Sequence, residues 1–198
     1  MKKWALLRVK NAMLLANLVS NAIGVCVVVF LSRTISLPTA EVSELALRIN
    51  QVFLPCSFLL PLVLTVLYEK PIRLYLRNAS LQRPVNEKEK RDALRRLLNE
   101  PFFLIALDMG IWLAAAVIYS AVFWSYEVGW PVVQTAFLLS SHTGLITTTV
   151  AFFVFEFVMQ RRVIPHVFPE GGLSMTPGTI RIRIRVRLVA FLFACNLI

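Results

Sequence analysis

The chain has 198 residues, 58% of them apolar and 16% charged, where soluble domains average about a quarter charged. Of its 21 basic and 11 acidic residues, 30 lie outside four long apolar stretches, and only Asp108 and Glu156 lie inside them. This excludes a secreted disulfide scaffold, a disordered tail and a soluble nucleic-acid binder, because the net charge of +10 sits in the segments between spans, where membrane topology accounts for it.

The apolar stretches run from about 11 to 32, 51 to 68, 102 to 125 and 131 to 160, and 188 to 198 begin another. Each full stretch reaches or approaches the roughly 20 residues that cross a bilayer as a helix. None alternates as a barrel strand would. The predicted fold is an all-α membrane protein, a polytopic helical bundle with four complete transmembrane helices plus the start of a fifth. The first stretch follows Lys2, Lys3, Arg8 and Lys10 in the manner of a secretory signal, but its 22 residues exceed the roughly 7 to 15 of a signal core. It reads as a retained helix.

In the second stretch Pro55 and Pro61 each remove a backbone donor, which predicts a kink; a broken substrate-binding helix is the sharper alternative. Cys26, Cys56 and Cys195 fall in apolar runs without CxxC spacing and read as small buried hydrophobes. The connection that follows predicts a helix over 84–101, capped by Asn86 with Glu89 in capping-box position and closed by Pro101. Ala93, Leu94, Leu97 and Leu98 share one side of it, and Glu87 and Arg91, and Asp92 and Arg96, stand at i,i+4. It reads as a solvated helix against headgroups, or as a contact surface for a cytoplasmic domain.

Asp108 and Glu156 are each expected about 7 to 10 Å inside the basic side of the third and fourth helices. A carboxyl in hydrocarbon costs at least about 2.5 kcal/mol, so both are predicted to face the bundle. Either they face one another or each is hydrogen-bonded separately. Trp124, Tyr126 and Trp130 gather where those helices turn, as an aromatic belt would. The fourth stretch also carries His142 among Ser140, Ser141, Thr143 and Thr147–Thr149, a candidate ligand or proton site if it is not a packing residue. At 30 residues, or about 45 Å, the stretch must tilt, protrude or break.

Between 161 and 187 prolines and glycines break any long helix. Arg161 and Arg162 open this segment, and the period-two run TIRIRIRVR places Arg181, Arg183, Arg185 and Arg187 on one side of an extended chain. All six are candidate anchors to anionic headgroups; a nucleic-acid stripe is the discarded alternative. The uncharged 188–198 predict a fifth helix continuing past residue 198, with an interfacial tail as the alternative. No spacing resembles a phosphate loop, a nucleophile elbow or a metalloprotease helix. Neither a catalytic site nor a cofactor or metal site is expected in 1–198.

Orientation follows from the connections: segments 1–10, 69–101 and 161–187 hold 19 of the 21 basic residues. The positive-inside rule then puts the N-terminus in the cytoplasm and 33–50 and 126–130 outside. Cysteines engineered at positions 40 and 88 should react with an impermeant thiol reagent from opposite faces of the membrane. Labelling of both from one face would overturn this topology.

Two motifs carry a family resemblance. Arg95-Arg96-Leu97-Leu98-Asn99-Glu100-Pro101 opens into the third span. Glu156 with Arg161-Arg162 is followed by Phe168-Pro169-Glu170-Gly171-Gly172-Leu173-Ser174 and the arginine-rich run. Over about 90–198 this resembles the N-terminal six-helix membrane region of bacterial class III adenylate/guanylate cyclases with a HAMP linker, and secondarily that of sensor histidine kinases. The resemblance implies a sensor and anchor module in the plasma (inner) membrane, coupled to HAMP and cyclase domains further along the chain, with a second copy of the chain as a candidate partner. The rival reading is a small transporter or channel, for which Asp108, His142 and Glu156 are the only pathway candidates.

Overall fold

A computed structural model describes residues 3–34 and 40–167. The four apolar stretches are all helical, as the fold class requires, and the first three helices are longer than their apolar cores. α1 spans Lys3–Thr34, α2 Ala40–Ser80, α3 Glu87–Ser125 and α4 Trp130–Val158. A π-turn, Met159–Val163, and a four-residue α5, Ile164–Val167, follow. All four long helices meet the length and hydropathy needed to cross a bilayer, yet only 11–22% of each apolar window is buried against protein. Leu59, Leu67, Val117 and Phe157 are among the large apolar side chains left more than half exposed. A surface of this kind is suited to lipid rather than water. Together these features describe a multi-pass helical membrane protein.

Hydropathy stops where the hydrocarbon stops, whereas helical hydrogen bonding continues as long as the sequence supports it. α2 and α3, at 41 and 39 residues, therefore measure about 60 Å each and run beyond the apolar zone as a paired stalk. Asn86 caps α3, its side chain accepting from Lys88 N at 3.0 Å. Pro101 does not close a helix, contrary to the sequence expectation; it lies buried inside α3. Pro55, Pro61 and Pro71 are likewise interior to α2. Neighbouring helices and hydroxyls let a membrane helix tolerate such residues, and Ser57 Oγ donates to Leu54 O at 2.8 Å beside Pro55. The expected i,i+4 pairing of Glu87 is replaced by a contact with Lys90, 3.4 Å away at i,i+3.

α3 ends in a tight reversal. Val128 N donates to Phe123 O at 3.2 Å and Tyr126 N to Val122 O at 3.1 Å, with Glu127 left-handed at φ 54°. Gly129, at φ 98°, starts α4 just ahead of Pro131, where a missing donor costs nothing. Trp124 and Trp130 meet edge to face there, 5.5 Å apart. The long fourth stretch keeps its excess length, since α4 alone has 29 residues and runs on into the π-turn, whose Ile164 N reaches Met159 O. The turn immediately precedes Pro165, which has no N–H to donate to Arg161 O.

The bundle packs in the order α1, α4, α3, α2, while α1 and α2 touch only slightly. Ala12, Ala16, Ser20 and Gly24 form a buried stripe of small residues on α1, matched on α4 by Thr147, Thr148 and Ala151. Such surfaces let helices approach closely in lipid. Ser20 Oγ and Thr147 Oγ1 turn back to Ala16 O (3.0 Å) and Thr143 O (2.7 Å), so neither hydroxyl is left unsatisfied. At the basic end Met13, Ile72, Leu76, Leu97, Leu104, Phe155, Met159 and Val163 make the main apolar core. A smaller cluster of Val42, Phe123, Val133 and Ala136 lies at the aromatic end.

Cys26 and Cys56 are exposed on the helix surfaces, which corrects the expectation that they are buried; inside an apolar span an exposed position faces lipid. Cys195, the anchors Arg181, Arg183, Arg185 and Arg187, and the start of the fifth helix lie outside the described residues.

Candidate functional site

Of the three intramembrane candidates, Asp108 is the deeply buried one, at 1% exposure. It projects from α3 toward α1, where Asn21 Nδ2 lies 3.5 Å from Oδ1. Asn21 Nδ2 also donates to Asn17 O and Oδ1 at 3.0 Å. An Asp108–Asn21–Asn17 chain thus ties α3 to α1. His142 is half-buried, and its Nδ1 lies 2.8 Å from Leu138 O on its own helix. Glu156 is half-buried and accepts from Gln160 Nε2 at 3.1 Å. Arg161 and Arg162 are exposed at the basic end, the Arg161 guanidinium 5.7 Å from the centre of the Phe157 ring.

The slight contact between α1 and α2 leaves a cleft between them of about 600 Å³. Val25, Val28 and Val29 form one wall, Ala46, Leu47, Phe53, Leu54 and Phe58 the other, and Trp112, Ala115 and Tyr119 of α3 the floor. The size and apolar lining are those of a small-molecule site. A few polar groups converge on it. Tyr119 donates its hydroxyl to Asn50 Oδ1 across the α2–α3 contact, and Asn21, Ser57 and Ser140 also reach the lining. Asn21 serves both the cleft and Asp108, which connects the buried carboxyl to the cavity wall.

The floor is held rigidly. Trp112 packs between Gly24 and Gly144: a Cβ on Gly24 would lie 2.7 Å from Thr147 Oγ1 and 3.2 Å from Trp112 Cζ2. No other side chain would leave α1, α3 and α4 at this spacing. Phe53 and Tyr119 meet edge to face at 5.9 Å, fixing the α2 side.

Sequence reasoning missed Asn17, Asn21, Asn50 and Tyr119. The signal was present in two asparagines spaced i,i+4 inside the otherwise apolar first span, where polar side chains seek helix partners. The cleft itself had no sequence signal, since its walls are ordinary apolar residues.

A second hollow, about 640 Å³, opens where the stalk leaves the apolar zone, lined by Tyr68, Pro71, Tyr75, Asp92, Arg95 and Arg96. Tyr68 donates to Arg96 O at 3.0 Å and stacks on Phe103 at 4.1 Å. These contacts bind α2 to α3 at the foot of the stalk.

No family model, curated protein or solved structure matches this chain.

Proposed function

We propose that the chain is the membrane-embedded sensing and anchoring region of a signalling protein, in which the cleft between α1 and α2 takes a long-chain apolar ligand from the bilayer. One observation carries this reading: the two helices that supply most of the cleft's wall and floor, α2 and α3, continue without interruption into the stalk at the basic end. A ligand that spreads α2 from α1 would change the pose of α2 against α3, and rigid helices transmit such a change to their far ends. The short connection between α3 and α4 offers no outer domain for a soluble ligand, which favours entry from the side.

The family resemblance supplies the output: a cytoplasmic class III adenylate/guanylate cyclase domain joined through a HAMP linker, with a sensor histidine kinase as the second reading. On this proposal the basic end faces the cytoplasm of the plasma membrane, where Arg161 and Arg162 sit among anionic headgroups.

Two measurements test it. A variant that keeps Trp112 as its sole tryptophan, in vesicles of phospholipid brominated along the acyl chain, should show strong quenching. Ala46→Phe, which fills the cleft from α2, should relieve it. Equal quenching in both would remove the cleft from the proposal. Separately, the complete gene product should form cyclic AMP or cyclic GMP in a cyclase-deficient host, while residues 1–198 alone should form none. ATP-dependent histidine phosphorylation without cyclic nucleotide would select the kinase reading.

A further inference from the structure

The apolar spans of α2 and α3, 51–68 and 102–125, stop just short of Glu69 and Glu100. Antiparallel pairing brings these two residues side by side. Each is 3% exposed, and the two carboxyls face one another within hydrogen-bonding reach. Arg73, one turn along α2, donates to Glu69 Oε2 through Nε and a terminal nitrogen. Oε1 of the same carboxyl is buried and receives no donor from Arg73 or any other fixed N–H or O–H among the described residues. An ionised carboxylate only accepts, so two facing carboxyls can bond only when one of them holds a proton.

Charge counting leads to the same state. With one proton the two carboxyls and Arg73 sum to zero; without it, a net negative charge is buried between like-charged groups, which is costly in a low-dielectric site. Tyr68 of α2 gives its hydroxyl proton to Arg96 O, and Lys70 on α2 and Arg95 and Arg96 on α3 are exposed. α4 and the π-turn bring Phe155, Met159 and Val163 to the adjoining core, and α1 brings Met13 and Ala16; Arg161 and Arg162 point out. Burial first, and the facing Glu69 carboxylate second, hold Glu100 well above the ordinary carboxylate range, with Arg73 pulling the other way.

We propose that Glu69 and Glu100 form a proton-binding site, holding one shared proton beside Arg73, and that this proton clamps α2 to α3 where they leave the apolar zone. The sign follows from linkage: a group that binds its proton more tightly when folded stabilises the closed stalk at low pH and ceases to as pH rises through its folded-state pKa. The clamp is independent of whatever occupies the cleft.

The test uses residues 1–198 in phosphatidylcholine vesicles. The infrared difference spectrum between neutral and alkaline pH should contain the carbonyl stretch of a protonated carboxylic acid. Glu100→Gln and Glu69→Gln should each remove it, and Asp108→Asn should leave it. Absence of the band from the wild-type chain, or its removal by Asp108→Asn alone, overturns the site. Spin labels at Leu74→Cys and Arg91→Cys, with Cys26, Cys56 and Cys195 replaced by serine, read the clamp. Their separation should lengthen at alkaline pH in the otherwise wild-type chain and stay short in Glu100→Gln, whose amide keeps a donor at every pH. A wild-type separation that does not change as the band disappears overturns the clamp, and this comparison requires no carboxyl variant to fold.

Discussion

Phe155→Ala should cost the folded bundle about 3–5 kcal/mol, measured as the loss in unfolding free energy of the chain in lipid vesicles. Phe155 is the largest of the fully buried side chains. It shares its core with Met13 of α1, Ile72 and Leu76 of α2 and Leu97 and Leu104 of α3. Helix association within hydrocarbon gains little from the hydrophobic effect, because lipid is as apolar as the protein interior. Ile72, Leu76 and Leu97, however, lie outside the apolar spans, so part of this core would meet water if it opened. The substitution therefore loses a transfer contribution as well as packing. Phe153, two residues away and 42% exposed, is the control; its replacement by alanine should change stability by no more than about 0.5 kcal/mol. Equal losses at the two positions would show that this core does not hold the helices together.

Gly144→Ala should be nearly as damaging for a different reason, with an expected loss of about 3 kcal/mol. The added Cβ would stand 2.5 Å from Trp112 Cβ and 3.0 Å from Trp112 Cγ. Trp112 Cβ is fixed to the α3 backbone and cannot swing away, so α3 and α4 must separate. Trimming the ring with Trp112→Ala leaves that Cβ in place and should not rescue Gly144→Ala. Gly110→Ala meets nothing within 4 Å and should be neutral or slightly stabilising, as alanine is the better helix former. A rescue by Trp112→Ala would contradict the close approach of the two backbones.

The four spans were readable because each apolar run has to satisfy its own backbone in lipid, and only a helix does so from consecutive residues. Asn86 was readable for a local reason too, since a cap is a bond between neighbours in sequence. The helix limits were not. Ala40 to Asn50 and Glu69 to Ser80 are too polar to register as span, yet nothing in them stops a helix already nucleated. Pro101 misled because proline ends helices when the freed carbonyl and the ring have no accommodation, a condition its buried position against neighbouring helices does not meet. Asp108 is legible from its cost in hydrocarbon, which leaves open a facing Glu156 or a separate hydrogen bond; Asn21 on α1 is the residue within reach, and no pattern in consecutive residues points to it. Glu69 and Glu100 were absorbed into a basic connection where a carboxylate attracts no notice. Their clue was symmetry: they lie at similar distances on either side of the 81–86 link, and an antiparallel hairpin brings such positions to one level.

The pairing of α1 with α4 rather than α2 has a consequence for how the chain is made. α1 emerges from the ribosome before the other three long helices described, and its stripe of Ala12, Ala16, Ser20 and Gly24 has no matching surface until Thr147 has been synthesised more than a hundred residues later. α2 can find α3, and α3 can find α4, as soon as each hairpin is inserted, because those partners are adjacent in sequence. α1 must instead wait in the bilayer and join the other described helices after α4 is made, across the longest sequence separation among them, which is the step that topology makes slowest. Substitutions at Gly24 should accordingly leave insertion of all four spans intact while slowing the capture of α1, so that nascent chains are released with an unseated first helix open to quality-control proteolysis.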